Sequence, residues 1–227
     1  MSMLCCMLAL TPRQMKTLRA RPDLTFALSN THFDEGGAEI EAAAEVDDAE
    51  EEALSPQEDA SHSDADADGE DDDDEYDEDD DDDEDIDLGT VFDEPVRKSL
   101  ELMKSWAMLR FLMMKFEVDN TEIPANGLLE GELIGDEVGY GSASLRDAAE
   151  TERFARFLQS VDLDRLLSRV NYREMLAQKL YAFPYGDKPD AFYEAEVRED
   201  LTEYYPQLRD YVAKAAAAKH GLLVWLE

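Results

Sequence analysis

The sequence predicts an α+β fold: one domain of mostly helices, with short strands at the N-terminus, in the middle and at the C-terminus, interrupted by an acidic loop. Three observations lead there. Both ends carry short apolar runs, MLCCMLAL at residues 3–10 and LLVWL at 222–226. Such runs are too short for independently stable helices and read as buried strands. Between them lie repeated helix start signals. Finally, the charge is unevenly distributed along the chain.

The formal net charge is −36 over 227 residues. Of 57 acidic residues, 31 lie between Asp34 and Asp87, a stretch holding none of the 21 basic residues. The remainder has 26 acids against 21 bases, a net charge of −5. Residues 1–33 and 88–227 therefore read as one mildly acidic domain with enough chain for a substantial core. Residues 34–87 read as an inserted, disordered loop. Between Ser55 and Asp85 the only aromatic or large aliphatic residue is Tyr76. Little apolar area is available there to offset chain entropy, and the carboxylates repel one another.

The elements follow in order. After the first strand, Thr11-Pro12 supplies an N-cap and a first helical residue, with Met15 and Leu18 at helical spacing. Leu24 and Leu28 continue the pattern beyond Pro22. Residues 94–115, EPVRKSLELMKSWAMLRFLMMK, give the strongest helix signal and predict one central helix, apolar over much of its circumference. Its Met103, Met108, Met113 and Met114 are expected to fill gaps in the core. Residues 128–134 and 138–144 are expected as strands around Gly135-Asp136. Ser144 with Asp147 resembles a capping box opening a helix to about Gln159. Further helical turns are expected at 162–169, at 171–181 after Asn171, at 191–204 and, from Pro206, at 206–219, with Gly221 as the C-cap.

Within the acidic tract, DADADGEDDDDE at residues 64–75 satisfies the calcium-loop pattern D-x-[DN]-x-[DN]-G-x5-E. Asp64, Asp66, Asp68 and Glu75 would be its carboxylate ligands. The flanks do not support an EF-hand, because neither side has an amphipathic helix. Asp71 also stands where an aliphatic residue belongs. A tract so rich in Asp meets a permissive acidic pattern easily, so the expectation is weak, polyelectrolyte-like association with calcium or magnesium.

Four stretches together are similar to the YfbM-like family, a bacterial family of small cytoplasmic proteins of unknown function. MSMLCCMLALTPRQM resembles its opening strand and helix start. KSWAMLRFLM, at 104–113, resembles its DK-x-W-x-x-L-H-F-L-L helix. GDEVGYGSASLRDAAE, at 135–150, resembles its G-x-x-L-G-Y-G-P-A-R turn and following helix. YYPQLRDYVAKAAAAKHGLLVWLE resembles its closing helix and V-L-V-W strand. The family usually has His at the position of Arg110, and often an acid at that of Met103. The resemblance implies an α+β fold and no reaction. The acidic insert is outside the family pattern.

Composition and motifs narrow the function. No clustered Lys and Arg exist to release counterions from a phosphate backbone, so nucleic acid is not expected as a partner. No apolar run approaches the roughly 20 residues of a membrane helix. The start has an apolar run without preceding basic residues or an A-x-A-like cleavage site, so no signal peptide is expected. The adjacent Cys5 and Cys6 give no disulfide framework, and a reducing cytoplasm is the expected location. Buried in an apolar run, both are expected to be inert. His32, His62 and His220 lack metal-site spacing, and no G-x-S-x-G occurs, so no cofactor, metal site or catalytic residue is expected. A ligand pocket, if built, is expected near Trp106, Arg110, Tyr140 and Trp225, where aromatic faces and a guanidinium would grip a planar or anionic molecule. The plainer expectation makes both tryptophans core residues and pairs Arg110 at the surface. The leading reading is a non-enzymatic interaction module, immunity- or antitoxin-like, whose insert steers a basic protein partner. The alternative is a small-ligand binder or enzyme using the Trp106/Arg110 region.

Overall fold

The computed structural model describes residues 3–30, 32–33, 39–40, 88–93, 95–116 and 128–227. In chain order the elements are β1 (Cys5–Leu10), α1 (Pro12–Ala20), α2 (Leu24–Asn30), β2 (His32–Phe33), β3 (Glu39–Ile40) and α3 (Leu88–Phe92). They continue as β4 (Leu100–Glu101), α4 (Ser105–Met114), β5 (Glu132–Glu137), β6 (Ser142–Arg146) and α5 (Ala148–Ser160). The last four are α6 (Leu163–Ser168), α7 (Tyr172–Ala177), α8 (Asp190–Ala217) and β7 (Gly221–Leu226). The fold is α+β, as expected. Elements from both sides of the acidic run belong to one compact unit.

A five-stranded antiparallel sheet, ordered β4-β1-β7-β6-β5, organises that unit. The two terminal apolar runs lie side by side near its centre, from Cys5 opposite Leu226 to Leu10 opposite Gly221. Side chains alternate between sheet faces. Cys5, Met7, Ala9, Leu222 and Val224 pack against α4, α5 and α8. Cys6, Leu8, Leu10, Leu223 and Trp225 pack against α1, α2 and α3. Helices on both faces explain why these strands are apolar at nearly every position rather than at every second one.

The caps follow local chemistry. Thr11 Oγ1 accepts from the Gln14 N–H and Gln14 Oε1 accepts from the Thr11 N–H, with Pro12 opening α1. Asp162 and Asn171 cap α6 and α7. At α5 the capping pair is Asp147 with Glu150, not Ser144 with Asp147, because Ser144 is taken up by β6 opposite Val224.

Several boundaries differ from expectation. The strands expected at 128–134 and 138–144 form at Glu132–Glu137 and Ser142–Arg146, so Gly135-Asp136 lies inside β5. The 94–115 helix is only α4. Leu100 and Glu101 pair with Met7 and Cys6 at the sheet edge, and Met103 takes a left-handed φ of 45°. Sheet pairing thus outweighs local helix propensity. Met108 and Met113 fill the core as expected, whereas Met103 and Met114 are exposed. Helix α8 runs unbroken through Pro206, because its buried stripe Tyr193–Val197–Leu201–Tyr205–Leu208–Val212 continues across that residue. It ends at Ala217, with the left-handed turn at Lys219, φ of 59°, rather than at Gly221, which already belongs to β7. Lastly, α7 stops at Ala177 and leaves Tyr181 in a turn. From the 34–87 segment, Glu39 and Ile40 pair with Phe33 and His32; residues 34–38 and 41–87 lie outside the described residues.

Tyr205 ties α8 to the end of α5. Its buried hydroxyl lies 2.9 Å from the Leu158 carbonyl oxygen and 2.6 Å from that of Val161. Tyr205→Phe is expected to lower stability by about 1–2 kcal/mol, since it strips a donor from buried carbonyls while keeping the ring. Chemical denaturation of the two proteins measures it; an unchanged midpoint would show that the hydroxyl adds nothing.

Candidate functional site

Helix α4 begins two residues after the left-handed turn at Met103 and buries Trp106, Ala107, Met108, Leu109, Leu112 and Met113. Trp106 is 7% exposed, and Tyr181 stacks on its indole with ring centroids 6.1 Å apart and planes 24° from parallel. Tyr181 is held from two sides. Its hydroxyl accepts from the Met3 N–H at 2.5 Å, and it sits between Lys179 and Ala182, both with left-handed φ. Arg110 lies one turn beyond Trp106 on the same helix face. It is half-buried and in no ion pair among the described residues, so the expected surface salt bridge is not seen there. Arg110 Nε and Trp106 Nε1 are both buried N–H donors without an acceptor.

The other two expected site residues lie elsewhere. Trp225 sits in the core cluster on the opposite face of the sheet from Trp106, so the two tryptophans cannot line one pocket. Tyr140 is 50% exposed in the β5–β6 turn, where its N–H donates to the Leu226 carbonyl. The structure therefore sets Tyr181 on Trp106, one helical turn from Arg110, and separates Trp106 from Trp225. Tyr181 was hidden in the sequence, because nothing local marks two left-handed non-glycine residues around an aromatic.

The remaining chemistry-bearing residues are placed as follows. His220 is buried just before β7, its N–H donating to Ala215. Among the described residues no group of three or more His, Cys, Asp or Glu is arranged to hold a metal ion. The calcium-pattern residues Asp64, Asp66, Asp68 and Glu75 lie outside the described residues, as does His62. No helix among the described residues is long and apolar enough to cross a membrane.

The family model described as "Domain of unknown function (DUF1877)" matches residues 1–225. The chain belongs to that family. No curated protein and no solved structure matches this DUF1877 chain.

Burial sets the acid–base behaviour of the DUF1877 core. It drives the Cys5 thiol pKa far up and pushes that of Cys6 to about 12, with Glu227 raising Cys6 further. The Tyr205 and Tyr211 phenols are likewise pushed to about 12 by burial. Thiolate is the nucleophile, so these cysteines are inert at neutral pH, as the sequence suggested. The fold favours the neutral form of each group, while the unfolded chain ionises them near pH 9–10. Their contribution to stability is therefore complete below about pH 9 and is lost as pH rises toward 12, at up to about 1.4 kcal/mol per pH unit for each group. Denaturation midpoints measured from pH 7 to pH 11 should be level and then fall; a flat profile to pH 11 would contradict the burial.

Proposed function

We propose that this DUF1877 protein is YfbM-like and serves as a non-enzymatic interaction module of the bacterial cytoplasm, engaging a basic protein partner in an immunity- or antitoxin-like manner. One folded unit, from residues 1–33 and 88–227, carries the inserted run 34–87. The observation that carries this reading is the charge distribution: residues 34–87 hold 31 carboxylates and no cation. In the folded unit, by contrast, charges neutralise one another in pairs such as Arg19–Glu132, Lys115–Glu174 and Arg173–Asp190. A concentrated field of one sign raises encounter rates with an oppositely charged surface by about 10-fold to 1000-fold at low ionic strength. It also confers selectivity against acidic competitors.

The test is capture from a native bacterial extract, using the full chain and a chain lacking residues 41–86, at about 50 mM and 500 mM salt. A basic protein retained by the full chain at low salt, released at high salt and not retained by the shortened chain supports the reading. Recovery of no salt-sensitive partner, or equal recovery by both chains, rejects it.

A further inference from the structure

We infer that helix α4 carries a binding site for a carboxylate on a flat apolar body, formed by Arg110 and Trp106 beneath Tyr181. The site is independent of the charge-based reading above. Buried N–H groups in native proteins nearly always have an acceptor. Here two of them, Arg110 Nε and Trp106 Nε1, lie one helical turn apart on the same face and have none among the described residues. Both side chains are donors only, so a single ligand serving both would have to accept from each. One of them is a guanidinium in no ion pair among the described residues, which favours an anion over water.

The surroundings select the rest of the ligand. Tyr181 stacks on the Trp106 ring, and Met114, one turn beyond Arg110, is 52% exposed. Aromatic faces and a polarisable thioether favour an aromatic carboxylate over inorganic phosphate. Both donors are closed to solvent, and we take displacement of Tyr181 from the indole as the route of entry. Its tether is one hydrogen bond to Met3, and the left-handed residues Lys179 and Ala182 flank it. Non-glycine residues in that region cost about 1 kcal/mol or more each, which offsets part of the cost of opening the turn.

Benzoate is the probe. The full chain is labelled with nitrogen-15, and its two indole N–H resonances are assigned with Trp225→Phe. Benzoate should shift the Trp106 indole resonance saturably at millimolar concentration and leave that of Trp225 in place. Arg110→Gln should weaken the effect by about tenfold or more. Should that variant fail to fold, Arg110→Lys, which keeps the charge but loses the fork, should weaken it less. The proposal is overturned if benzoate leaves the Trp106 resonance unmoved, if Arg110 variants respond as the wild type does, or if chloride and phosphate act as strongly as benzoate.

Discussion

Replacing Gly221 by alanine is expected to destabilise the protein by about 3 kcal/mol, the upper part of the range for overpacking a dense core. Gly221 opens the central strand β7, opposite Leu10. A methyl group built on its Cα would overlap Met15 Sδ and the Arg146 backbone carbonyl oxygen. The Met15 side chain can swing aside. The Arg146 carbonyl cannot, because Arg146 is held opposite Leu222 in the β6–β7 ladder. Adding Met15→Ala should therefore fail to rescue the variant. Urea titration of both variants measures this; a loss below about 0.5 kcal/mol would mean the strands separate more freely than their packing allows.

The second large effect concerns a buried cation. Arg146 is 3% exposed and faces no carboxylate at ion-pair distance among the described residues. Its Nε donates to the Glu130 carbonyl at 2.5 Å, its guanidinium lies 4.7 Å from the centre of the Phe154 ring, and one terminal nitrogen has no acceptor. Burial lowers its pKa to about 10, with Glu150 and Glu130 opposing the shift. Phe154 is itself fully buried and stacks on Phe157. Phe154→Ala is expected to cost about 4–5 kcal/mol, the high end for removing a buried ring, because the cavity opens beside a desolvated charge. Phe154→Leu keeps most of the volume and loses only the π face, so it should cost about 1–2 kcal/mol. Equal losses from the two variants, read from denaturant midpoints, would show that cavity volume is not the main term.

Much of this fold was legible because its strongest signals are local. Thr11-Pro12, Asp162 and Asn171 act as caps where the sequence places them, and the runs 3–10 and 222–226 are buried strands. Local pattern misleads where long-range pairing overrides it. Leu100 and Glu101 sit within a helical period, yet the free edge of β1 takes them. Pro206 reads as a helix start, yet continuous burial on both sides carries α8 through it. The site was half legible. Trp106 and Arg110 share a helix face by spacing alone, whereas the separation of Trp225 depends on which sheet face it occupies. That in turn depends on the strand register, since a shift of one residue would exchange the faces.

The central claim is that the two flanks make one cooperative unit without the acidic run. Trp106 and Trp225 lie in the core clusters on opposite faces of the sheet, so their fluorescence reports on both at once. The direct measurement is thermal unfolding of the full chain beside one in which a short Gly/Ser linker replaces residues 41–86. A single transition within about 3 °C of the full chain is expected, shifted upward at low salt as self-repulsion is relieved. Loss of cooperativity, or a fall of more than about 10 °C, would contradict the claim.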